Sequence, residues 1–335
     1  MSVYTLLQEE DFKAFLALYD EGELVCWKGI EAGVENTNYF VSTRHPEKGE
    51  QHFVLTIFEY VPAEQLPFFI QFMALLAHSG LPVPTPIHGL DNKPLRQLKN
   101  KPCMLQTRLA GHHAETDTLS LDQCHMIGES LARIHHIGQQ ADFTQSNFRG
   151  MGWIEQQINR LASLLPEDEA QLQKQQWQAI SATLAGMPNL PRGLIHADLF
   201  VDNVLFHNGQ ISGIIDFFQS CEEWLLYDVA VTVNDWCLHH DSLELNPART
   251  SALLNAYNAI RPFTDDERKA WPVMQRLACL RFWISRIVTY THPEHEPDNG
   301  SDENSENVVR HFKDPAKFKK MLTLRTLTDA VLVLP

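Results

Sequence analysis

A hairpin signature with polar residues gathered at its open end constrains this chain more than any other feature. Val204-Leu205-Phe206-His207 and Gln210-Ile211-Ser212-Gly213-Ile214-Ile215 are strand-like runs joined by Asn208-Gly209, the dipeptide favoured in two-residue type I′ turns because both positions need positive φ. A two-residue loop makes His207 face Gln210, and antiparallel counting then sets Asn203 opposite Ile214. Cross-strand partners share a face of the sheet, and Asp216, two residues beyond Ile214, returns to that face. Asn203 and Asp216 are thus expected close together, with Asp198 a few residues upstream. One carboxylate and one amide suit Mg²⁺, which takes a couple of protein oxygens and completes its shell with phosphate and water. A further carboxylate nearby can orient a hydroxyl. Taken singly, Asp and Asn at a strand end are turn formers; their convergence among apolar neighbours points to chemistry.

The rest of the chain divides around this hairpin. Residues 38–43 and 52–61 are rich in β-branched and aromatic side chains and predict short strands. Residues 62–79 carry Leu66, Phe69, Ile70, Met73, Leu76 and Ala77 at helical spacing, opening on Pro62 and stopping at Gly80. A second strand pair ends in residues 103–109 and is broken by Gly111. A β-rich lobe with one packing helix is therefore expected over residues 1–108, and a mainly helical lobe over 109–335. In the latter, Ser120 and Gln123 form a capping box ahead of a face made by Leu121, Cys124, Ile127, Leu131 and Ile134. The class is α+β, and 335 residues at 44% hydrophobic content suffice for two modest cores.

Composition removes several functions. A formal net charge of −15 disfavours nucleic acid and anionic membranes, which bind basic patches, and favours a small soluble partner. Six cysteines without a C-x-x-C pair argue against a disulfide framework and a zinc site. The doublets His112-His113, His135-His136 and His239-His240 point adjacent side chains to different faces, unlike metal-ligand spacing. No apolar run reaches the roughly 20 residues that cross a bilayer, and the start has no basic segment followed by an apolar one. The expected location is the cytoplasm. Glu294, Glu296, Asp298, Asp302, Glu303 and Glu306 lie in a stretch without apolar residues, expected to be a surface loop.

Leu194-Ile195-His196-Ala197-Asp198-Leu199-Phe200-Val201-Asp202-Asn203 resembles the catalytic loop of the aminoglycoside phosphotransferase-like kinases, and Ile215-Asp216-Phe217 resembles their metal-binding segment. The run from Gly29-Ile30-Glu31-Ala32-Gly33 to Asn36-Thr37-Asn38-Tyr39-Phe40, the continuation to Tyr227-Asp228, and Lys313-Asp314-Pro315 are similar to the type II homoserine kinases. That resemblance implies a two-lobed protein-kinase-like fold with a small β-rich N-lobe and a larger helical C-lobe, with ATP between them. It also implies phosphorylation of the L-homoserine side-chain hydroxyl to O-phospho-L-homoserine, a step of threonine biosynthesis.

Roles follow from the resemblance, since phosphoryl transfer mainly needs positioning and charge neutralisation. Asp198 would accept or orient the hydroxyl proton, Asn203 and Asp216 would hold Mg²⁺, and His196 would brace the loop. Gly29 and Gly33 would let the backbone approach the ATP phosphates, with Asn36 and Asn38 continuing that segment. Gln106 to Leu109 would lie beside the adenine. Thr56 stands where such folds usually carry a strand lysine, and no Lys or Arg occurs from Gly49 to Asn92; Lys28 is one substitute. A zwitterionic acceptor needs an anion and a cation. Asp202 and Asn234 are candidates for its ammonium, and Arg281 and Arg286, read as one helical face, for its carboxylate. Another amino alcohol, an aminoglycoside, or a pseudokinase that binds nucleotide without turnover are the alternatives.

Overall fold

The computed structural model of the chain describes residues 4–30, 36–291, 314–327 and 333–335. Gly33, Lys313 and the acidic stretch from Glu294 to Glu306 lie outside the described residues. Two compact units emerge: one of the described residues up to His78 with Pro82–Ala110, the other of Ser79–Leu81 and the described residues from Gly111 on.

In the first unit, β1 (Glu23–Gly29), β2 (Asn36–His45), β3 (Gly49–Phe58), β4 (Leu95–Leu98) and β5 (Lys101–Thr107) form an antiparallel sheet in the order β1-β2-β3-β5-β4. Strand alternation sends Tyr39, Val41, Phe53, Leu55, Ile57, Cys103 and Leu105 to one face, where they are buried with Phe12, Phe15 and Leu16 of helix α1 (Glu9–Leu16). Each such side chain contributes about 1.5–3 kcal/mol when removed from water. The expectation of a single helix in this lobe is corrected by α1, which precedes the sheet. Its acidic first turn, Glu9-Glu10-Asp11, suits the helix dipole, and Asp11 caps it by accepting the Gln8 N–H at 2.9 Å. The predicted helix is α2 (Leu66–His78), entered through a 3₁₀ turn at Ala63–Gln65 and left before Gly80, whose φ is 78°.

In the second unit, α3 (Leu121–Gly138) opens on the reciprocal Ser120–Gln123 cap. Its buried face holds Cys124, Ile127, Leu131 and Ile134, whereas Leu121 is exposed. The elements that follow are α4 (Met151–Leu161), α5 (Glu167–Ala185), β7 (Arg192–Ile195), α6 (Leu225–Trp236), α7 (Pro247–Ile260), α8 (Asp265–Thr291) and α9 (Pro315–Leu327). β10 (Cys221–Trp224) pairs with β7, and β6 (His112–His113) joins β8 (Val204–His207) and β9 (Gln210–Ile214). Asp314 caps α9 by accepting the Ala316 N–H at 2.8 Å, so the Asp-Pro pair serves as cap and first residue.

The hairpin has its Asn208-Gly209 turn, with φ of 51° and 76°. Its register is not the uniform one that counting predicts. His207 faces Gln210 and Phe206 faces Ile211, but Leu205 then faces Gly213 and Val204 faces Ile214. Ser212 is the extra residue of a bulge, and a bulge shifts everything beyond it by one. Asn203 therefore lies not opposite Ile214 but beside Ile215, whose N–H donates to the Asn203 carbonyl at 2.9 Å.

Candidate active site

The segment after β7 is tightly turned. Ala197 has φ of 66°, a left-handed conformation that costs a non-glycine residue on the order of 1–3 kcal/mol and needs support from its surroundings. Asp228 of α6 supplies that support: it is 0% exposed, and its two oxygens accept the N–H of His196 at 2.9 Å and of Ala197 at 2.8 Å. His135 Nε2 lies 3.0 Å from the same carboxylate, and its Nδ1 lies 2.7 Å from the Tyr257 hydroxyl. Arg261 donates to that hydroxyl at 3.3 Å and pairs with Glu267 at 2.9 Å. Since a carboxylate only accepts, His135 donates from Nε2, and in its neutral form Nδ1 accepts the Tyr257 hydroxyl. Burial lowers the His135 pKa in keeping with this, against the opposing charge of Asp228.

His196 is likewise occupied on both sides. Nε2 donates to the Ile215 carbonyl at 3.0 Å and Nδ1 accepts the Asp198 N–H at 3.3 Å, while the ring rests 4.6 Å from that of Phe217. The imidazole thus ties the Asp198 loop to the residue preceding Asp216. Burial pushes its pKa down too, so it braces rather than exchanges protons.

Asn203 donates from Nδ2 to the Asp198 carbonyl at 2.7 Å and, more weakly, to the Asp198 carboxylate at 3.4 Å. The amide oxygen is left facing the other way. Asp216 leaves the strand with φ of 64° and ψ of 60° and is exposed. Asp198, Asn203 and Asp216 therefore sit around one bonded junction at the end of the hairpin, but the bulge and the left-handed residue bring them there, not face alternation. Among the described residues, no three His, Cys, Asp or Glu side chains group as a metal site. An amide oxygen plus one carboxylate is the sparse oxygen set that Mg²⁺ accepts when phosphate and water fill its shell.

On the sheet face of the first unit opposite α1 lie the predicted residues Asn36, Asn38, Thr56 and Gln106. Thr56 donates to the Asn38 side chain at 2.7 Å and accepts from Gln106 at 3.3 Å, linking β2, β3 and β5. Asn36 Oδ1 and Gln106 Oε1 are buried without a hydrogen-bond partner among the described residues. Orphaned acceptors of this kind are costly and fit a site that a donor group completes. Gly29 closes β1 opposite Tyr39, and Lys28 is exposed opposite Phe40. The N–H groups of Thr107 and Arg108 already donate to Thr85 and His52, while Leu109 follows, partly exposed. Arg108 holds its guanidinium 3.9 Å from the Phe40 ring centre, a cation on this face that strand-lysine reasoning missed.

The acceptor candidates separate. Asp202 is exposed in the 3₁₀ turn Val201–Asn203. Asn234 is corrected: it is 3% exposed, donates to the Gln275 carbonyl at 3.1 Å and accepts from Arg325 at 3.1 Å, so its amide is consumed inside the helical core. Nearly every residue of α6 is buried, which sequence periodicity did not anticipate. Arg281 and Arg286 are both in α8 but five residues apart, a rotation of about 140°. They flank Phe282, at 4.1 and 5.9 Å from its ring centre, instead of sharing a stripe. Arg281 also lines a pocket with Asn147, Arg149, Glu223 and Tyr227. These last four come from an irregular segment and from the β10–α6 junction, and no spacing rule singles them out.

Residues 27–263 match the model of the phosphotransferase enzyme family. Among similar proteins, a homoserine kinase of Pseudomonas aeruginosa (strain LESB58) is 42% identical over 325 residues, covering 97% of this chain and 96% of that one. A homoserine kinase of Methylobacillus flagellatus is 40% identical over 96% of this chain and 94% of its own, and one from Ralstonia pickettii is 38% identical over 99% and 97%. Solved structures with the same fold include an amicoumacin kinase, TM-score 0.70 and 16% identical, covering 96% of this chain and 92% of that one. A spectinomycin phosphotransferase aligns with TM-score 0.68 and 14% identity over 96% and 99%.

Proposed function

This chain belongs to the phosphotransferase enzyme family, and from that membership we propose that it is a homoserine kinase, transferring the γ-phosphoryl group of ATP to the side-chain hydroxyl of L-homoserine. The main support is that homoserine kinases match it at 38–42% identity over nearly their whole length. The product, O-phospho-L-homoserine, serves threonine biosynthesis. No described helix is long and apolar enough to cross a membrane, which is consistent with work on a dissolved metabolite in the cytoplasm.

The residues take the following roles. Asp198 orients the homoserine hydroxyl and takes its proton as that oxygen bonds to the γ-phosphorus and the bond to the ADP oxygen breaks. Asn203, whose Nδ2 is held by Asp198, presents Oδ1, and Asp216 presents its carboxylate, to hold Mg²⁺. When bound, the ion neutralises charge on the phosphate oxygens. Gly29, Asn36, Asn38, Thr56, Gln106 and Leu109 serve the nucleotide, the orphaned acceptors of Asn36 and Gln106 receiving donors from it or from ordered water. Asp228 and His196 keep the loop in shape.

The test is ADP release on a panel of L-homoserine, L-serine, choline and an aminoglycoside. Homoserine is expected to lead in kcat/KM by roughly 100-fold or more, as for sites built around a ligand's polar groups. Background turnover with homoserine and robust turnover with another alcohol would overturn the assignment.

A further inference from the structure

The pocket lined by Asn147, Arg149, Glu223, Tyr227 and Arg281 belongs wholly to the second unit, and phosphoryl chemistry leaves it unexplained. Arg281 is its most unusual member. It is 4% exposed, its hydrogen bond goes to the neutral Gln219 amide oxygen at 3.3 Å, and no carboxylate of the described residues lies within ion-pair distance. A buried guanidinium is costly unless a negative group compensates it. Burial lowers the Arg281 pKa; Tyr227 and Asp198 oppose that shift, and the charges of Arg149 and Arg286 add to it. Gln219 lies three residues past Asp216, and the Phe282 ring next to Arg281 lies 4.8 Å from that of Phe200, two residues past Asp198, which sets the pocket beside the loop.

Another part of the lining is organised around a negative group. Glu223 pairs with Arg192 at 2.9 Å and accepts from Asn147 at 3.1 Å, and Asn147 in turn accepts the backbone N–H of Arg149 at 2.9 Å. Glu223 is therefore a positioning residue for the Arg149 segment. The pocket lining combines two arginines with a bonded carboxylate, a charge pattern that suits a small zwitterion.

We infer that Arg281, with Arg149 beside it, receives the carboxylate of the acceptor and so makes the enzyme select an amino acid over the corresponding amino alcohol. The inference rests on the homoserine kinase assignment and adds the group that reads the acceptor. A planar guanidinium accommodates a carboxylate by paired hydrogen bonds, which an ammonium cannot reproduce.

The experiment compares L-homoserine with 3-aminopropan-1-ol, which keeps the hydroxyl and ammonium and lacks only the carboxylate, in wild type, Arg281→Gln and Arg281→Lys. The readout is the ratio of kcat/KM for the two acceptors within one preparation, so a loss of folded enzyme cancels. Arg281→Gln should lower the ratio by roughly 10- to 100-fold, the range for a hydrogen bond to a charged group. The change should lie mainly in KM for homoserine, with KM for MgATP retained, and Arg281→Lys should fall between. If wild type turns homoserine over and the ratio is unchanged in Arg281→Gln, this inference is overturned and the kinase assignment stands. If wild type turns over neither acceptor, the kinase assignment fails and this inference with it.

Discussion

The strain at Ala197 shows how much of the site depends on a residue that touches no reacting atom. With φ of 66°, the turn keeps its shape because Asp228 takes two consecutive backbone N–H groups, and His135 fixes Asp228 in turn. Asp198, Asn203 and Asp216 were legible in the sequence because they fall within one short run. Asp228 entered only as part of the family resemblance, and its bond to His135 and that of His135 to Tyr257 were not legible, since they span 93 and 122 residues and a histidine doublet carries no mark of which member is buried. A pH dependence follows from this layer. Burial holds His135 and His196 below an ordinary histidine's 6.5, so as pH falls through 6.5 the unfolded chain takes up protons that the folded chain does not. Stability is therefore full above that value and declines below it, by about 1.4 kcal/mol per histidine for each pH unit. Urea unfolding should give a lower stability at pH 5.5 than at pH 7.5; equal stability at the two would contradict neutral buried imidazoles.

At the scale of elements, close contacts aim the catalytic loop. Gly138 ends α3 against β7, where a Cβ would stand 2.6 Å from the Leu194 carbonyl, two residues before His196. Gly128 meets α7 in the same way, with a Cβ placed 2.2 Å from the Leu253 carbonyl. Gly138→Ala should therefore destabilise the protein by about 1–3 kcal/mol, the usual cost of overpacking. A urea midpoint unchanged from wild type would show that β7 can yield. On the far side of the loop, Phe200 lies 4.8 Å from the Phe282 ring and 6.4 Å from that of Phe318, so α8 and α9 back it as well. Sequence patterns located the hairpin, α2 and the α3 cap because each has a local signal. They missed α1, whose eight residues span barely two turns, and the Ser212 bulge, because a bulge answers to strand twist and neighbouring contacts more than to residue type.

At the scale of the whole molecule, the proposed roles divide between the two units. The sheet face of the first carries the linked Asn38, Thr56 and Gln106 side chains, and the second carries the loop, the oxygen pair and a pocket of mixed charge. On the proposed reading, Thr56 in place of a strand lysine leaves phosphate neutralisation to Mg²⁺, to backbone amides, and to cations such as Lys28 or Arg108 on the same face. The central claim is that the Asp198 loop moves the γ-phosphoryl group of ATP onto homoserine. Its most direct test follows ATP and L-homoserine by phosphorus NMR with wild type, Asp198→Asn and Asp216→Ala, while titrating MgATP binding. Wild type should form O-phospho-L-homoserine and ADP in equal amounts; Asp198→Asn should lose roughly 100- to 10,000-fold in rate with MgATP affinity kept, and Asp216→Ala should weaken MgATP binding. A rate near wild type in Asp198→Asn, or a phosphorylated product other than O-phospho-L-homoserine, would contradict it.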